Sequence, residues 1–192
     1  MENLYYGKAI HDREDFSHFH EELMRSQMSV CVPEPGLLSM HYTRQEYPVY
    51  GTGDYKTPAL CIRQEDGSRI TDFVYKGYKI CKGKPSLAPL PAVYVEEETE
   101  ADTLELILYD DKIDTDLVLS YTIFSDYPVI TRNTRFFHNG ETDIVLENAM
   151  SACVELPDLD FELLQLSGAW GRERYVKSVP VELGMQSVCG LD

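Results

Sequence analysis

Three groups of side chains in this sequence have types and spacings that could do chemistry: acidic clusters, a His-x-His step, and aromatic rings set among glycines. The acids gather at Glu96-Glu97-Glu98, at Asp110-Asp111 and at Asp114 and Asp116. Two facing carboxylates are enough to hydrolyse a glycoside. With 33 acidic residues in 192, however, such pairs arise from number alone, and runs of like charge are ordinarily solvated faces. His18 and His20, with Glu21 and Glu22 beside them, have metal-ligating types. On a helix, though, residues i and i+2 point to different faces, and no third ligand cluster accompanies them. A Ser-His-Asp, Cys-His or glycine-rich phosphate motif is also missing. The residues therefore assign no catalytic side chain, no metal and no cofactor.

The aromatic groups are more informative. Glu46-Tyr47-Pro48-Val49-Tyr50-Gly51-Thr52-Gly53-Asp54-Tyr55 places flat rings with polar tips, glycines and one acceptor in a turn, the equipment of a sugar site. The same stretch also fits a tyrosine-bearing edge loop whose glycines serve backbone geometry alone. Trp170, the only tryptophan, lies in Leu166-Ser167-Gly168-Ala169-Trp170-Gly171-Arg172-Glu173-Arg174-Tyr175. Its small neighbours give the ring room to project, and Arg172 and Arg174 place donors beside it. Trp170 is the candidate substrate-binding residue. The competing reading is a core plug, with Arg172-Glu173-Arg174 as an ion-pair ladder of little energetic weight.

The elements that must position these groups are read from a period of two. Residues 103–109, 117–124, 129–137, 144–156 and 161–166 are rich in alternating, β-branched or aromatic residues. Residues 59–63 and 69–75 flank Glu65-Asp66-Gly67-Ser68, which predicts a hairpin, and His138-Asn139-Gly140 predicts another. Strands are expected at residues 3–10 and 184–188. The single helical candidate is 12–27, where Phe16, Phe19 and Leu23 share one face, although a surface loop fits it equally. Val32-Pro33-Glu34-Pro35-Gly36 reads as loop. Short strands joined by Asp/Asn-Gly turns predict an all-β fold, an antiparallel sandwich or barrel.

Composition narrows the partners. Seventeen basic residues against 33 acidic ones give a formal charge of −16, a field that repels nucleic acid and anionic membrane surfaces. A neutral ligand such as a sugar is compatible with it. No apolar run approaches a membrane span, and the first residues show neither the basic nor the apolar region of a secretory signal. Cys31, Cys61, Cys81, Cys153 and Cys189 form no CxxC pair. An odd number of thiols without metal spacing predicts reduced cysteines in a cytoplasmic protein. Cys61, Cys81 and Cys153 sit in strand-like stretches and are expected to act as small core hydrophobes. The strand-like runs at both extremities predict a sandwich incomplete at its two ends.

Several blocks in register resemble one family. They are Leu4-Tyr5-Tyr6-Gly7-Lys8, Tyr47-Pro48-Val49-Tyr50-Gly51-Thr52-Gly53-Asp54-Tyr55, Asp66-Gly67-Ser68-Arg69-Ile70-Thr71-Asp72, Lys82-Gly83-Lys84-Pro85, Leu90-Pro91-Ala92-Val93-Tyr94-Val95-Glu96 and Leu164-Gln165-Leu166-Ser167-Gly168-Ala169-Trp170-Gly171-Arg172-Glu173-Arg174. Nearly the whole chain is similar to the N-terminal β-sandwich domain (supersandwich type) of bacterial α-galactosidases, or melibiases, of glycoside hydrolase family 36. The resemblance implies a parent enzyme that removes terminal α-D-galactosyl residues from melibiose- and raffinose-type oligosaccharides by a retaining mechanism. Its two catalytic aspartates come from a (β/α)8 barrel, so residues 1–192 are expected to be an incomplete accessory domain, inactive alone. The start is shorter than the family's, and Cys189-Gly190-Leu191-Asp192 departs from its continuation. Trp170 resembles the family tryptophan at the mouth of the sugar pocket, and the parent is expected to form a homotetramer. The family's acidic contact from a neighbouring subunit falls near residues 20–26, where Leu23-Met24-Arg25-Ser26 does not match, and it is not carried over. The alternative is a free-standing carbohydrate-binding or structural sandwich module.

Overall fold

The computed structural model describes residues 1–19, 43–51, 56–90, 92–156, 160–182 and 184–188. Its strands are β1 (Leu60–Arg63), β2 (Val74–Lys82), β3 (Ala101–Asp110), β4 (Thr115–Phe124), β5 (Ile130–His138), β6 (Val145–Ala149), β7 (Glu162–Ala169) and β8 (Arg172–Pro180). All named pairings are antiparallel. The chain divides into two compact units, Met1–Glu155 and Leu156–Asp192. Among the described residues no helix is long and apolar enough to cross a membrane.

The first unit holds a four-stranded sheet in the order β2-β3-β4-β5 and a two-stranded sheet of β1 and β6. Alternation on β3 and β4 explains the layering. Leu106 and Leu108 face Leu119 and Leu117 across the ladder, and these side chains meet Ala59, Leu60 and Ile62 from the β1 layer. Tyr47 and Val49 close the same cluster, so the two layers share one apolar core, the arrangement of an antiparallel sandwich. β4 is buried on both faces: Val118, Ser120 and Thr122 are also sequestered. There the Thr103 hydroxyl donates to Gly83 O at 2.7 Å and shares a 2.8 Å hydrogen bond with the Thr122 hydroxyl.

The turn between β3 and β4 is built by Asp110, whose side chain is almost fully buried. Its carboxylate accepts from the backbone N–H groups of Asp72 (2.7 Å), Lys112 (2.9 Å) and Ile113 (3.4 Å). Asp114 takes the left-handed φ of +45° there, a conformation Asp tolerates better than most residues.

The strands expected at 103–109, 117–124, 129–137 and 161–166 are present, but several other expectations are corrected. Residues 3–10 form no strand. The start instead makes one bridge, Glu2 to Gln45, with Asn3 N–H donating to Arg44 O at 2.7 Å, and Gly7 bends the run. Of the helical candidate 12–27, the described part contains only the 3-10 turn Ser17–Phe19, held by Asp15 accepting from Ser17; residues 20–27 and the loop 32–36 lie outside the described residues.

The turn at 65–68 does close, with Gly67 at φ +84°, but 69–75 does not pair back on β1. β1 pairs with β6 instead, and β5 pairs with β4, so His138-Asn139-Gly140 is a crossing between sheets rather than a hairpin. Both ring nitrogens of His138 fix that crossing, Nδ1 against the Thr115 hydroxyl at 2.9 Å and Nε2 against Thr142 O at 2.7 Å. The strand expected over 144–156 ends at Ala149. Residues 184–188 form no strand: Gly184 turns at φ +113°, and the Gln186 amide donates to Pro180 O. Cys153 packs against the core as expected, whereas Cys61 is half-buried outside that cluster and its thiol contacts Glu147.

Candidate functional site

The second unit is the β7–β8 hairpin with its flanks, and its tip carries Trp170. Register runs from Glu162↔Pro180 to Ser167↔Tyr175 and then shifts before Ala169↔Arg172. Gly171 takes φ +75°, a left-handed value that glycine reaches without a Cβ clash, and this lets the chain reverse in two residues. Trp170 is consequently 98% exposed. Among the described residues no side chain covers the ring. Nor do Arg172, Glu173 and Arg174 form an ion-pair ladder among those residues. The arrangement is a large, flat, apolar-faced ring with a donor N–H at the tip of the hairpin. Such a surface can stack on the C–H face of a sugar.

The other aromatic candidate divides. Tyr47 is buried, its hydroxyl donating to Met150 O at 2.6 Å, and burial pushes its phenol pKa up. Tyr50 is exposed beside Gly51, which turns at φ +103° against Ile70. Residues 52–55, including Asp54 and Tyr55, lie outside the described residues. Tyr47 therefore belongs to the core, and of the described tyrosines in this stretch Tyr50 alone exposes its ring.

Several acids of these clusters have structural roles. Asp110 organises its turn, Asp114 accepts from the Tyr109 hydroxyl at 2.8 Å, and Asp116 pairs with Lys76 at 3.0 Å. Glu97 and Glu100 cap a 3-10 turn at Glu98–Glu100. His18 lies against the Phe19 ring at 4.2 Å, while His20, Glu21 and Glu22 lie outside the described residues. Among the described residues no group of three His, Cys, Asp or Glu side chains could hold a metal ion.

A polar group with no sequence signal lines a cavity of about 750 Å³ in the first unit, where Leu104, Leu106, Ile130 and Val154 contribute apolar wall. Among the lining residues, Glu46 Oε1 accepts from Arg132 Nη2 at 2.5 Å and from the Tyr121 hydroxyl at 2.6 Å. Arg132 also donates to Cys153 O at 2.8 Å, and its guanidinium lies 4.8 Å from the Tyr121 ring centre. Burial, and then the Glu46 carboxylate, drive the Tyr121 phenol pKa far upward. Glu46 and Arg132 thus partner each other, and the network ties β4 and β5 to the stretch around residue 46.

A second cluster is exposed. Glu147 on β6 accepts from Arg69 (Nε, 2.7 Å) and from Arg63 on β1 (Nε, 2.8 Å). Those hydrogen bonds, Arg69 first, hold the Glu147 carboxyl down at about 2.

Comparison with known proteins matches residues 1–191 to the glycosyl hydrolase family 36 N-terminal domain. Alpha-galactosidase AgaA of Geobacillus stearothermophilus is 40% identical over 187 residues, covering 97% of this chain and 26% of the relative. Alpha-galactosidase 1 of Pediococcus pentosaceus is 34% identical over 193 residues, again covering 97% of this chain and 26% of the relative. Among solved structures, AgaA in complex with raffinose superposes with a TM-score of 0.89 at 39% identity, over 96% of this chain and 26% of that one. The α-galactosidase from Lactobacillus brevis gives 0.91 at 32% identity, over 96% and 25%. The chain thus spans about a quarter of the length of the relatives it matches.

Proposed function

The chain belongs to glycosyl hydrolase family 36 as an N-terminal domain, and on that premise we propose that it is the sugar-facing accessory domain of an α-galactosidase. In this reading the whole protein hydrolyses terminal α-D-galactosyl residues of melibiose- and raffinose-type oligosaccharides with retention. Trp170 contacts the substrate, and the two catalytic carboxylates lie outside residues 1–192. The observation that carries the reading is the exposure of the lone tryptophan, 98%, on a hairpin tip. Burying one face of an indole against a sugar ring recovers apolar area that the free chain leaves in water. The relatives support the choice of ligand, since AgaA has been crystallised with raffinose and with stachyose.

The reading extends to setting. Cys61, Cys81 and Cys153 are free thiols, which suits a reducing cytoplasm. The whole protein is proposed to act as a homotetramer.

The test follows Trp170 emission during a raffinose titration, because the only tryptophan reports only on the hairpin tip. A saturable change with raffinose, absent with sucrose, supports the proposal. An unchanged spectrum from a folded chain overturns it and leaves a structural module.

A further inference from the structure

We infer that a backbone bulge at Gly168 and Arg174 is the device that aims Trp170, and that Arg174 acts through its main chain and not through its guanidinium. The inference rests on the sugar-facing reading of Trp170. Between the pairs Ser167↔Tyr175 and Ala169↔Arg172 the ladder has one residue on β7, Gly168, against two on β8, Glu173 and Arg174. This two-against-one count is a β-bulge, which bends the bulged strand and increases its local twist. Arg174 takes φ +66°, a left-handed conformation that Gly and Asn reach readily and β-branched residues almost never adopt.

Gly168 is the complement. A Cβ placed there would collide with the carbonyl oxygen of Arg172 and come within 2.8 Å of Glu173 Cα. Both are backbone atoms, so no side-chain rotation relieves the clash. The close approach and the positive φ hold each other in place two residues before the tip. A change in twist at that point swings the Ala169-Trp170-Gly171-Arg172 turn as a unit, because the tip has no other anchor among the described residues. The glycine at 168 and the unusual φ at 174 therefore serve the direction of one indole ring.

Three substitutions separate backbone from side chain. Arg174→Gly keeps the left-handed conformation and removes the guanidinium. Arg174→Val disfavours the conformation and also removes the guanidinium. Gly168→Ala attacks the bulge from the opposite strand and leaves Arg174 in place. Each is made in the full 192-residue chain, with raffinose affinity measured calorimetrically beside wild type and Trp170→Ala. Backbone amide exchange at Leu166 and Val176 reports whether the hairpin remains paired.

The expected pattern is affinity within twofold of wild type for Arg174→Gly and about tenfold weaker for Arg174→Val and Gly168→Ala, near the Trp170→Ala value. Exchange protection should stay unchanged in all of them. Equal losses in Arg174→Gly and Arg174→Val would assign the effect to the guanidinium and overturn the inference. Wild-type affinity in Arg174→Val and Gly168→Ala, with a loss in Trp170→Ala, would overturn the aiming role and leave the sugar-facing reading standing. Lost protection at Leu166 and Val176 would make the bulge a folding element and would also overturn it. If wild-type chain and Trp170→Ala respond to raffinose alike, the sugar-facing reading falls and takes the inference with it.

Discussion

Replacing Glu46 with alanine should destabilise the first unit by about 3 kcal/mol. The side chains of Arg132 and Glu46 are only 14% and 12% exposed, so the pair is largely desolvated. Breaking a buried pair from one side costs roughly 3–5 kcal/mol, most of it from the charge left unpaired. The lower figure applies because Arg132 keeps Cys153 O and the face of Tyr121. The Tyr121 hydroxyl also loses its acceptor, which works in the same direction. The double substitution Glu46→Leu with Arg132→Met should cost less than either single change, since no orphaned charge remains. Urea unfolding followed by far-UV circular dichroism is the appropriate assay, because it reads the strands of the first unit, which holds no tryptophan. Loss of less than about 0.5 kcal/mol in Glu46→Ala, or a double variant worse than both singles, would refute the reasoning.

Leu117, 1% exposed at the centre of the core, should cost about 2–5 kcal/mol when cut to alanine, read from the same urea curves. Trp170→Ala, by contrast, should leave stability within about 0.5 kcal/mol, checked by amide exchange of the hairpin and by circular dichroism. The Glu147 carboxyl is depressed from 4.5 to about 2 in the folded chain, so its contribution is present above roughly pH 4.5 and lost as pH falls toward 2. The stability difference between wild type and Glu147→Gln should therefore be flat above pH 5 or so and shrink through that acid window, which urea midpoints across pH will show.

How much of this was legible in the sequence depends on whether the signal was local. β3 and β4 are plain because apolar, β-branched and aromatic residues crowd each strand, and their hairpin is closed by residues adjacent in sequence. β2 was legible only at its start. A register shift between Tyr75 and Gly77 puts Tyr75 and Tyr78 on one face, opposite Leu108 and Leu106, so a three-residue spacing replaces the expected two. Its lysines mark an edge strand rather than a loop. The β1–β6 pairing joins Leu60 to Ala149, and no neighbouring residue announces it; the Asp-Gly turn at 66–67 pointed to a nearer partner that does not pair.

The site divides along the same line. Small residues around Trp170 announced a projecting ring. The bulge behind it is a φ angle at an arginine, which residue type argues against. The Glu46 network joins residues 75 and 86 positions apart and had no sequence signal at all.

The most direct test of the central claim is a search for nuclear Overhauser contacts between the Trp170 indole and raffinose bound to the folded chain. The account predicts contacts from indole ring protons to sugar C–H protons that vanish in Trp170→Ala, while the amide spectrum of β3 and β4 is unchanged. A folded hairpin whose indole shows no contact with raffinose at saturating sugar would contradict it.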